Sequence, residues 1–590
     1  MGAVEKIITD NLLLWSSSVQ LKSTQGRGSS SKRDLYGVKK LRELILDFAF
    51  KGLLVKSVTD ADDKQNLLLS MQKEREDFHK EKGVKLQELK ISESIAMEIS
   101  YPPTWNIFYF GEVIIYITDF QANGSFATLK ANVEYYDSKN YAMLLRLTDL
   151  RKNLTDTENF KYTDKSGYDF LYKSKVLGGE VVVANVGAGV GTTLHIPEIT
   201  MPTTLAPNMF MVMLPKTLNK EYFLYYSKSP SYHRYIETVN SGTGQPKINK
   251  TEYKNCKIPI PPLAEQHRIV AKVDELMALC DTLEQQQEDS IQAHETLVET
   301  LLNVLTNAPD AEAFQSAWQR VSKHFDTLLT TVHSVDKLKE TILQLAVMGK
   351  LVPQDPNDEP ASVLLEKIAD EKEQLIKDGK IKRKRRPTLD DNLAVPFKLP
   401  IGWALSNLSD IGHDWGQKKP DKKFTYIDVG SINKELGVIE EQNVLDKDEA
   451  PSRARKIVKY GTVIYSTVRP YLLNIAVVDR DFTPEPIAST AFAIIHPFKG
   501  MEPSYIYSYL RSPIFVSYVE SCQTGIAYPA INDKQFFSGI IAVPPLAEQH
   551  RIVAKVDELM ALCDDLKQSL NDAQTTQMQL TDAVTEQAVN

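Results

Sequence analysis

A run of valines leads into three closely spaced glycines in the stretch VVVANVGAGVGTT, residues 181–193. A strand that ends in a glycine-rich turn is the pattern with which nucleotide-binding folds bring backbone amides up to a phosphate. The spacing through Gly187, Gly189 and Gly191 is GxGxG, which lacks the longer interval of the dinucleotide fingerprint and the lysine of a phosphate-binding loop. We therefore predict a turn that exposes backbone amides, with a cofactor site as the alternative. The polar residues beside this turn are Asn185, Thr192 and Thr193.

Short clusters of lysine and arginine stand beside aromatic and amide-bearing residues, as in LYKSKV, GQKKPDKKF and SRARKIVKYG. Such clusters neutralise the phosphates of nucleic acid where they meet it, although any one of them is also typical of a solvated surface. The formal net charge of −8 argues against a protein coated in basic charge and leaves local contact with DNA open. Because clusters occur in both variable parts of the chain, beside aromatic and amide-rich loops, we favour nucleic-acid binding. The candidate DNA-binding residues are Lys173, Lys175, Asn185, Thr192, Thr193, Lys418, Lys419, Lys422, Lys423, Arg453, Arg455, Lys456, Lys459 and Arg469.

The densest basic run is KIKRKRR, residues 380–386. It follows a segment with a helical pattern and precedes a strand-rich region, so it lies at a boundary between two parts of the chain. Contact with DNA phosphate is the preferred interpretation of this run, and a solvated linker is the alternative.

No group of side chains has the pattern of a catalytic or metal centre. The ten histidines are scattered, and His267 and His550 belong to a duplicated segment, which favours a scaffold role for both. The four cysteines form no CxxC pair, so a zinc site is not expected. The Asn/Asp-Pro-Pro-aromatic loop of an amino-methyltransferase is not found in the sequence. We predict no catalytic residue, no metal site and no cofactor held by this chain.

One segment that must help to position these residues occurs twice in the chain with an identical sequence. PPLAEQHRIVAKVDELMALCD occupies 261–281 and again 544–564. Prolines suit the first turn of a helix, and the apolar residues behind them recur at steps of three and four, which is the spacing of a helix seam. Two identical copies favour a helix with two equivalent binding roles. The predicted seam or partner-binding residues are Ile269, Val273, Leu276 and Cys280 in the first copy, and Ile552, Val556, Leu559 and Cys563 in the second.

Further duplicated segments frame two regions that differ from each other. GVKKLRELILDFAFKGLLV at 37–55 aligns with SVDKLKETILQLAVMGKLV at 334–352, and the stretch at 241–266 aligns with that at 524–549. The order helix, variable region, helix occurs twice, so the repeat is circular and a pseudo-twofold arrangement closes it. Each variable region starts with a proline placed three residues before a tryptophan. These pairs are Pro102 with Trp105 and Pro400 with Trp403.

The variable regions mix aromatic and β-branched runs with glycine turns, which predicts strands with a few helices. Together with the helical parts, this indicates an α+β chain. The predicted segments are a helical region at 1–100, a variable module at 101–262, a helical region at 263–398, a second variable module at 399–545 and a helical region at 546–590.

Three features together resemble the specificity subunits of type I restriction–modification systems: both copies of PPLAEQHRIVAKVDELMALCD, the TGxxxPxIN-like stretch before each, and LPIGW at the start of the second module. The resemblance covers nearly the whole chain, and the long N-terminal segment is similar to the IB branch of that family. It implies two α/β target-recognition domains separated by long helices that pack as an antiparallel coiled coil. Each domain would read one half of a split DNA sequence, while the helices would set the spacer and dock the modification subunits.

The resemblance also implies a chain that is not catalytic alone. Two modification subunits would supply S-adenosylmethionine and adenine methylation, and two restriction subunits would add translocation and cleavage that depend on ATP and magnesium. No apolar run is long enough to span a membrane, which predicts a cytoplasmic protein. Two alternatives stay open: a coiled-coil adaptor whose modules bind protein, and a methyltransferase that uses the glycines of 187–191.

Overall fold

The chain is built as two units, one of which takes residues from both chain ends. Met1–Asp289 and Gln574–Asn590 form unit 1, and Ser290–Ala573 form unit 2. The circular order of the repeats therefore corresponds to a unit 1 that is closed by the two ends of the chain. The residues described by the computed structural model are 3–22, 32–56, 63–82, 101–241, 244–383, 395–440, 443–525 and 528–589.

Unit 1 begins with helices, continues with a strand-rich module and ends in the first part of a long helix. Its helices are α1 (Ala3–Asp10), α2 (Leu12–Ser17), α3 (Tyr36–Phe50), α4 (Asp63–Lys82), α5 (Phe110–Val113), α6 (Phe126–Asn132), α7 (Leu147–Arg151), α8 (Lys165–Phe170), α9 (Lys220–Tyr226), α10 (Pro230–Val239), α11 (Lys250–Lys254) and α12 (Leu263–Thr306), which belongs to this unit as far as Asp289. Its strands are β1 (Gln20–Lys22), β2 (Lys32–Asp34), β3 (Asn106–Tyr109), β4 (Tyr116–Asp119), β5 (Ala142–Leu145), β6 (Lys161–Thr163), β7 (Lys175–Val176), β8 (Val181–Ala184), β9 (Thr193–His195), β10 (Thr203–Leu205), β11 (Met209–Met213) and β12 (Lys257–Ile260).

Unit 2 repeats this order with different residues. Its helices are α13 (Ala311–Lys323), α14 (Phe325–Leu328), α15 (Val332–Val347), α16 (Ala361–Lys377), α17 (Leu408–Ile411), α18 (Pro503–Arg511), α19 (Pro513–Cys522), α20 (Asp533–Phe537) and α21 (Leu546–Val589), which belongs to this unit as far as Ala573. Its strands are β13 (Ala404–Asn407), β14 (Gly412–His413), β15 (Phe424–Ile427), β16 (Ile432–Asn433), β17 (Val438–Ile439), β18 (Asn443–Leu445), β19 (Ala454–Ile457), β20 (Val463–Ser466), β21 (Ile475–Val477), β22 (Pro486–Ser489), β23 (Phe492–Pro497) and β24 (Ile540–Val543). None of the helices described in either unit is long and apolar enough to cross a membrane.

The two modules share one sheet topology although their sequences differ. Unit 1 has four-stranded sheets in the orders β4-β11-β8-β9 and β6-β5-β10-β7, and unit 2 has β14-β23-β20-β21 and β18-β15-β22-β19 in the corresponding places. One neighbouring pair in each second sheet is parallel, β5 with β10 and β15 with β22, while the other pairs in these sheets are antiparallel. The central strands β8 and β20 are fully buried, and apart from Ser466 at the end of β20 their residues are apolar or aromatic.

Each module starts and finishes at one place in its unit. The first module strand β3 pairs antiparallel with the last strand β12, with Ile107 opposite Pro259. In unit 2, β13 pairs in the same manner with β24, with Leu405 opposite Ala542. Because the first and last strands of a module lie side by side, the module leaves the helical part of its unit and returns to it at the same place.

The seams of the duplicated helix are buried within the chain. In unit 2, α21 packs against α15, so that Ile552 and Val556 share a core with Val335 and Ile342. In unit 1, α3 approaches α12 through Arg42, which donates to Asp281 at 2.7 Å and to Glu284 at 2.6 Å. Burial raises the pKa of the Cys280 thiol to about 11. Ile269, Val273, Leu276, Cys280, Ile552, Val556 and Cys563 are buried, and Leu559 is half-buried.

Three of the duplicated motifs meet at one point in each unit, which we call the junction. In unit 2, the Trp403 indole N–H donates to Glu548 of α21 at 3.0 Å, inside the core. Gly349, which follows α15, lies so close to Pro400 and Trp403 that an added Cβ would stand 2.5 Å from the proline ring. The identical PPLAEQ motif therefore carries the glutamate that fixes the first tryptophan of its module. The unit 1 counterparts are Gly52, Pro102, Trp105 and Glu265, with an indole-to-carboxylate distance of 3.0 Å.

The glutamine of the same motif ties the helix to a second part of the module. The Gln266 side chain accepts from the Asn219 backbone N–H at 2.8 Å and donates to the Pro261 carbonyl at 2.9 Å. Gln549 repeats both bonds, with the Glu502 backbone N–H at 2.9 Å and the Pro544 carbonyl at 3.0 Å. Both glutamines are fully buried, where an amide without hydrogen-bond partners would be unfavourable. The side chain of each therefore anchors its module to the helix.

Replacing the junction glutamate tests its contribution directly. Glu548→Leu is expected to lower the free energy of unfolding by about 2 kcal/mol, since the indole of Trp403 and the amide of Gln354 would lose a buried acceptor. Burial raises the pKa of Glu548, so removal of this carboxylate also relieves some unfavourable desolvation and keeps the expected loss moderate. Urea unfolding followed by tryptophan fluorescence measures it. Glu558→Leu, at an exposed glutamate of the same helix, is the control, and equal midpoints for the two variants would contradict the prediction.

Candidate nucleic-acid interface

The GxGxG stretch forms a five-residue turn, residues 187–191, between β8 and β9. Gly187 and Gly191 at its two ends have φ values of 99° and 84°, which glycine adopts without strain. The Val190 N–H donates to the Gly187 carbonyl at 3.0 Å, and the Gly191 N–H donates to the Ala184 carbonyl at 2.9 Å. Outside the turn, the Gly187 N–H donates to the carbonyl of Pro246 at 2.9 Å. These amides are used within the protein and are therefore not arranged as a phosphate cradle.

The polar residues predicted beside this turn have mixed environments. Thr193 is buried in β9 and its hydroxyl donates to the Gly191 carbonyl at 3.0 Å. Thr192 is half-buried at the end of the turn. Asn185 is half-buried, and its side-chain oxygen has no hydrogen-bond partner within the described residues. Of the three, Asn185 is the one with a buried polar side-chain atom that has no partner among the described residues.

Unit 2 contains the same turn at residues 469–473, between β20 and β21. Arg469 and Leu473 occupy its two ends with φ values of 49° and 52°, a left-handed conformation that is uncommon for residues with a side chain. The Leu472 N–H donates to the Arg469 carbonyl at 3.0 Å, as Val190 does to Gly187. We call residues 187–191 and 469–473 the matched turns. The sequences of the two turns have nothing in common, so only the structure reveals their equivalence.

The TGxxxPxIN-like stretch binds the matched turn in each unit. The Arg469 N–H donates to the Pro529 carbonyl at 2.8 Å, as Gly187 does to Pro246. Two residues later, the Ile531 N–H donates to the Thr467 carbonyl at 3.0 Å, and Ile248 does the same to Asn185. The asparagines that follow cap the short helices α11 and α20. The duplicated stretch is therefore a fixed backbone support for a turn whose side chains differ.

Two basic clusters of unit 2 that are separate in sequence come together in space. The Lys418 N–H donates to the Arg455 carbonyl at 2.9 Å, and the Ile457 N–H donates to the Gly416 carbonyl at 3.2 Å. The segment that carries the first lysines therefore runs along β19, which carries the second cluster. This places basic residues from 418–423 and 453–459 on one surface, as a polyanion-binding face requires.

The basic side chains of this surface divide into paired and unpaired groups. Lys418 lies 2.6 Å from Glu485, and Lys456, only 9% exposed, lies 3.3 Å from Asp533. Lys422 approaches Glu485 at 4.0 Å but is largely exposed. The Arg455 guanidinium donates to the Ala454 carbonyl at 3.0 Å. Among the described residues of this surface, Lys419, Lys423 and Arg453 are exposed and have neither an ion-pair partner nor a side-chain hydrogen bond.

Lys459 lies above an aromatic cluster beside these residues. Its ammonium is 3.7 Å from the ring centre of Trp415, which contacts His413 and His496 at centroid distances of 4.6 Å and 5.1 Å. Burial lowers the pKa of His413. Burial, with smaller contributions from the neighbouring His413 ring and the Lys459 ammonium, lowers the pKa of His496 to about 4. Both histidines are therefore neutral at neutral pH, and Lys459 carries the positive charge of this cluster.

The predicted lysines of unit 1 are held by neighbouring groups. Lys173 is exposed and donates to the Ala122 carbonyl at 3.1 Å. Lys175 lies 3.6 Å from Asp169 and 4.1 Å from the ring centre of Tyr168. Arg151, which is not among the predicted residues, lies over the matched turn of this unit, since a Cβ added to Gly189 would stand 2.6 Å from its Nη2. Its neighbour Lys152 makes only a short basic pair with it in the sequence, less dense than the clusters singled out above, so the fold was needed to identify this arginine.

The densest basic run lies partly outside the described residues, which end at Arg383 and resume at residue 395. Within the described part, Lys380 lies 3.2 Å from Asp378, and Arg383 lies 2.6 Å from Glu373. Both pairs are exposed and contribute little to stability. The interpretation of this run as a DNA-phosphate contact stays a prediction.

Comparison with known proteins places these features in a family context. The family model described as the type I restriction modification DNA specificity domain matches residues 102–293 and 400–573. The chain is 34% identical over 610 residues to the type I restriction enzyme EcoAI specificity subunit of Escherichia coli, and 34% identical over 618 residues to the EcoEI specificity subunit of the same organism; both alignments cover 100% of each chain. The solved HsdS subunit from Thermoanaerobacter tengcongensis is similar with 16% identity and a TM-score of 0.34, covering 83% of this chain and 97% of that one.

Proposed function

The chain belongs to the family of type I restriction–modification specificity subunits, and from this premise we propose that each of its two modules reads one half of a bipartite DNA target. The observation that carries the proposal is the pair of matched turns. Two modules with one sheet topology hold the same turn on the same duplicated support, and the side chains on the two turns are entirely different. A constant scaffold that presents different side chains is what the reading of two different half-sites requires.

Basic surface beside one of these turns supports contact with DNA. In unit 2 the exposed basic residues along β19 and the preceding segment lie next to the matched turn, since the Thr490 N–H donates to the Arg453 carbonyl and the Thr467 N–H to the Ala491 carbonyl, both at 2.8 Å. Phosphate contacts would fix the register of the duplex on this surface, and the turn would then meet base edges.

We further propose that the chain acts with partners rather than alone. In this proposal two modification subunits dock on the helical parts and supply S-adenosylmethionine and adenine methylation, and two restriction subunits supply ATP- and magnesium-dependent translocation and cleavage. Helices α12 and α21 share the sequence HRIVAKVDELMALCD, so the residues of this stretch that are exposed in both copies offer two equivalent surfaces to two copies of one partner. The complex would work in the cytoplasm, where the chromosome is.

A methylome comparison tests the proposed function. Genomic DNA is sequenced for methylated adenine in a host that carries the modification subunit with this chain, and in the same host without this chain. The expected result is one bipartite methylated motif that appears only when this chain is present. An unchanged methylome, with the assembled complex present in the cell, would refute the proposal. The proposed adaptor alternative would give that outcome, and methyl-donor binding by this chain alone would favour the methyltransferase alternative.

Exchange of one module tests the independence of the two readings. Replacing residues 101–262 by the first module of another specificity subunit is expected to change one half of the methylated motif and leave the other half and the spacer unchanged. The physical reason is that β3 and β12 bring both module edges to one place, so that a module can be exchanged without altering the rest of its unit. The methylated motif of the hybrid is the measurement. A change in both halves would show that the modules do not read independently.

A further inference from the structure

Unit 2 presents an unusual arginine at the start of its matched turn. Arg469 has φ 49° and ψ 57°, a conformation that carries strain in a residue with a side chain. Its backbone is held from both sides, because its N–H donates to the Pro529 carbonyl and its carbonyl accepts from the Leu472 N–H. Strain that the surrounding structure maintains in this way is typical of residues that have a functional role.

The guanidinium of Arg469 belongs to a half-exposed residue, and no carboxylate neutralises its charge within the described residues. It lies 5.1 Å from the ring centre of Tyr528, which is 64% exposed, and it has no carboxylate partner among the described residues. Its basic neighbours differ in this respect, since Lys456 is paired with Asp533 and Lys418 with Glu485. A cation–π contact at this distance does not use the N–H groups of the guanidinium, whose planar fork suits bidentate hydrogen bonding.

Unit 1 has glycine at the corresponding position, and a different element supplies an arginine to the same turn. A Cβ added to Gly189, the middle residue of the turn, would stand 2.6 Å from Nη2 of Arg151, so glycine leaves room for this side chain. Arg151 is exposed at the end of α7 and has no ion-pair partner within the part of the chain that is described. The basic residues that flank it are paired, Arg146 with Asp149 at 2.6 Å and Lys152 with Asp156 at 2.5 Å.

We propose that the matched turn is the base-reading point of each module, and that Arg469 in unit 2 and Arg151 in unit 1 each recognise a guanine of their half-site. Guanine is the base whose major-groove edge presents two acceptors, O6 and N7, to one guanidinium fork. The two modules thus bring the same chemical group to the same turn by different routes, one from the turn and one from a helix. This inference rests on the proposed function and assigns the residues that carry it out.

The test uses the complex of the full chain with its modification subunit and duplexes that contain the methylated motif. Arg469→Ala is expected to reduce discrimination at one guanine of one half-site by roughly 10- to 100-fold, while the other half-site is still read. Arg151→Ala is expected to do the same in the opposite half-site. A duplex with 7-deazaguanine at the recognised position, which lacks the N7 acceptor, should weaken methylation by the unmodified complex and have little further effect with the Arg469→Ala complex.

Three further variants separate reading from charge and from folding. Arg469→Lys keeps the charge but loses the fork, so it should lose discrimination as Arg469→Ala does. Arg469→Gly relieves the left-handed strain and copies the turn of unit 1, so it should raise the unfolding midpoint and still lose discrimination. Arg455→Ala, on β19 of the other sheet of this module, should weaken binding to all duplexes alike and leave the motif unchanged, as expected for a phosphate contact.

Two results would overturn the inference. One is that Arg469→Ala weakens methylation of all duplexes equally with an intact motif, which would make this arginine a phosphate contact. The other is that Arg469→Gly retains full discrimination. Either result is distinct from failure of the proposed function, in which the unmodified complex itself would show no sequence-dependent methylation.

Discussion

Val273→Asp is expected to lower the free energy of unfolding by about 3 to 5 kcal/mol, because it places an acid without a partner inside the seam of α12. Val273 is 0% exposed and lies between the buried residues Ile269 and Leu276 on the same face of the helix. The buried carboxyl group either ionises without a partner or stays protonated because its pKa is raised. Both outcomes disfavour the folded state at neutral pH, since the unfolded chain ionises this group freely. Denaturant unfolding followed by circular dichroism measures the effect, and assembly with the modification subunit is expected to fail with it.

The matched control is Ala278→Asp, which adds the same residue to an exposed position of the same helix. It removes a good helix former and should lower stability by only about 0.5 to 0.7 kcal/mol. The equivalent buried change in the second copy, Val556→Asp, should resemble Val273→Asp, since Val556 is also buried. Equal unfolding midpoints for the Val273→Asp variant and the Ala278→Asp control would show that the seam tolerates charge.

Lengthening both long helices by four residues is expected to lengthen the nonspecific spacer of the target by roughly two base pairs and to leave both half-sites unchanged. An α-helix rises about 1.5 Å per residue, so four residues add about 6 Å and close to one full turn. B-DNA advances about 3.4 Å per base pair along its axis. The proposal that the helices set the spacer predicts this correspondence, and the methylated motif of the variant is the measurement.

The position of the insertions follows from burial along the helices. Leu302 and Leu305 of α12 are buried, so an insertion beside them would disrupt a core. Gln286 of α12 and Ser569 of α21 are exposed and occupy equivalent positions of the duplication, so four residues after each would avoid buried packing. An insertion in α12 alone is the control. It should reduce methylation, because α21 also contributes residues to both units and would keep its original length. A functional double insertion that keeps the original spacer would show that the helices do not set it.

The sequence predicted the repeat and the fold class correctly, because both depend on signals within single segments. The seam spacing and the prolines identify α12 and α21 without knowledge of their neighbours, and the order of the duplicated segments indicates a circular repeat. The predicted domain boundaries at 101–262 and 399–545 stay proposals, although each module has paired first and last strands close to those limits.

The shared topology of the two modules could not be predicted, since a core requires apolar residues of suitable volume and tolerates many different ones. The junction was equally hidden, because Trp403 and Glu548 are far apart in the chain and meet only through the pairing of β13 with β24. The same reason explains Lys456, whose position in a basic cluster predicts an exposed phosphate contact while its ammonium lies beside Asp533. Composition identifies charge, and only the fold determines whether a carboxylate lies next to it.

Closure of unit 1 by both chain ends has a consequence for synthesis on the ribosome. The Ser18 hydroxyl lies 2.7 Å from that of Thr581, and Tyr36 donates to Asp582 at 2.7 Å, so the first helices bind residues made more than 500 positions later. At typical elongation rates this interval is on the order of half a minute to two minutes, during which all of unit 2 emerges. The unit that begins first is therefore completed last. A nascent chain released early would leave Ser18 and Tyr36 in unit 1 without these partners from the last helix.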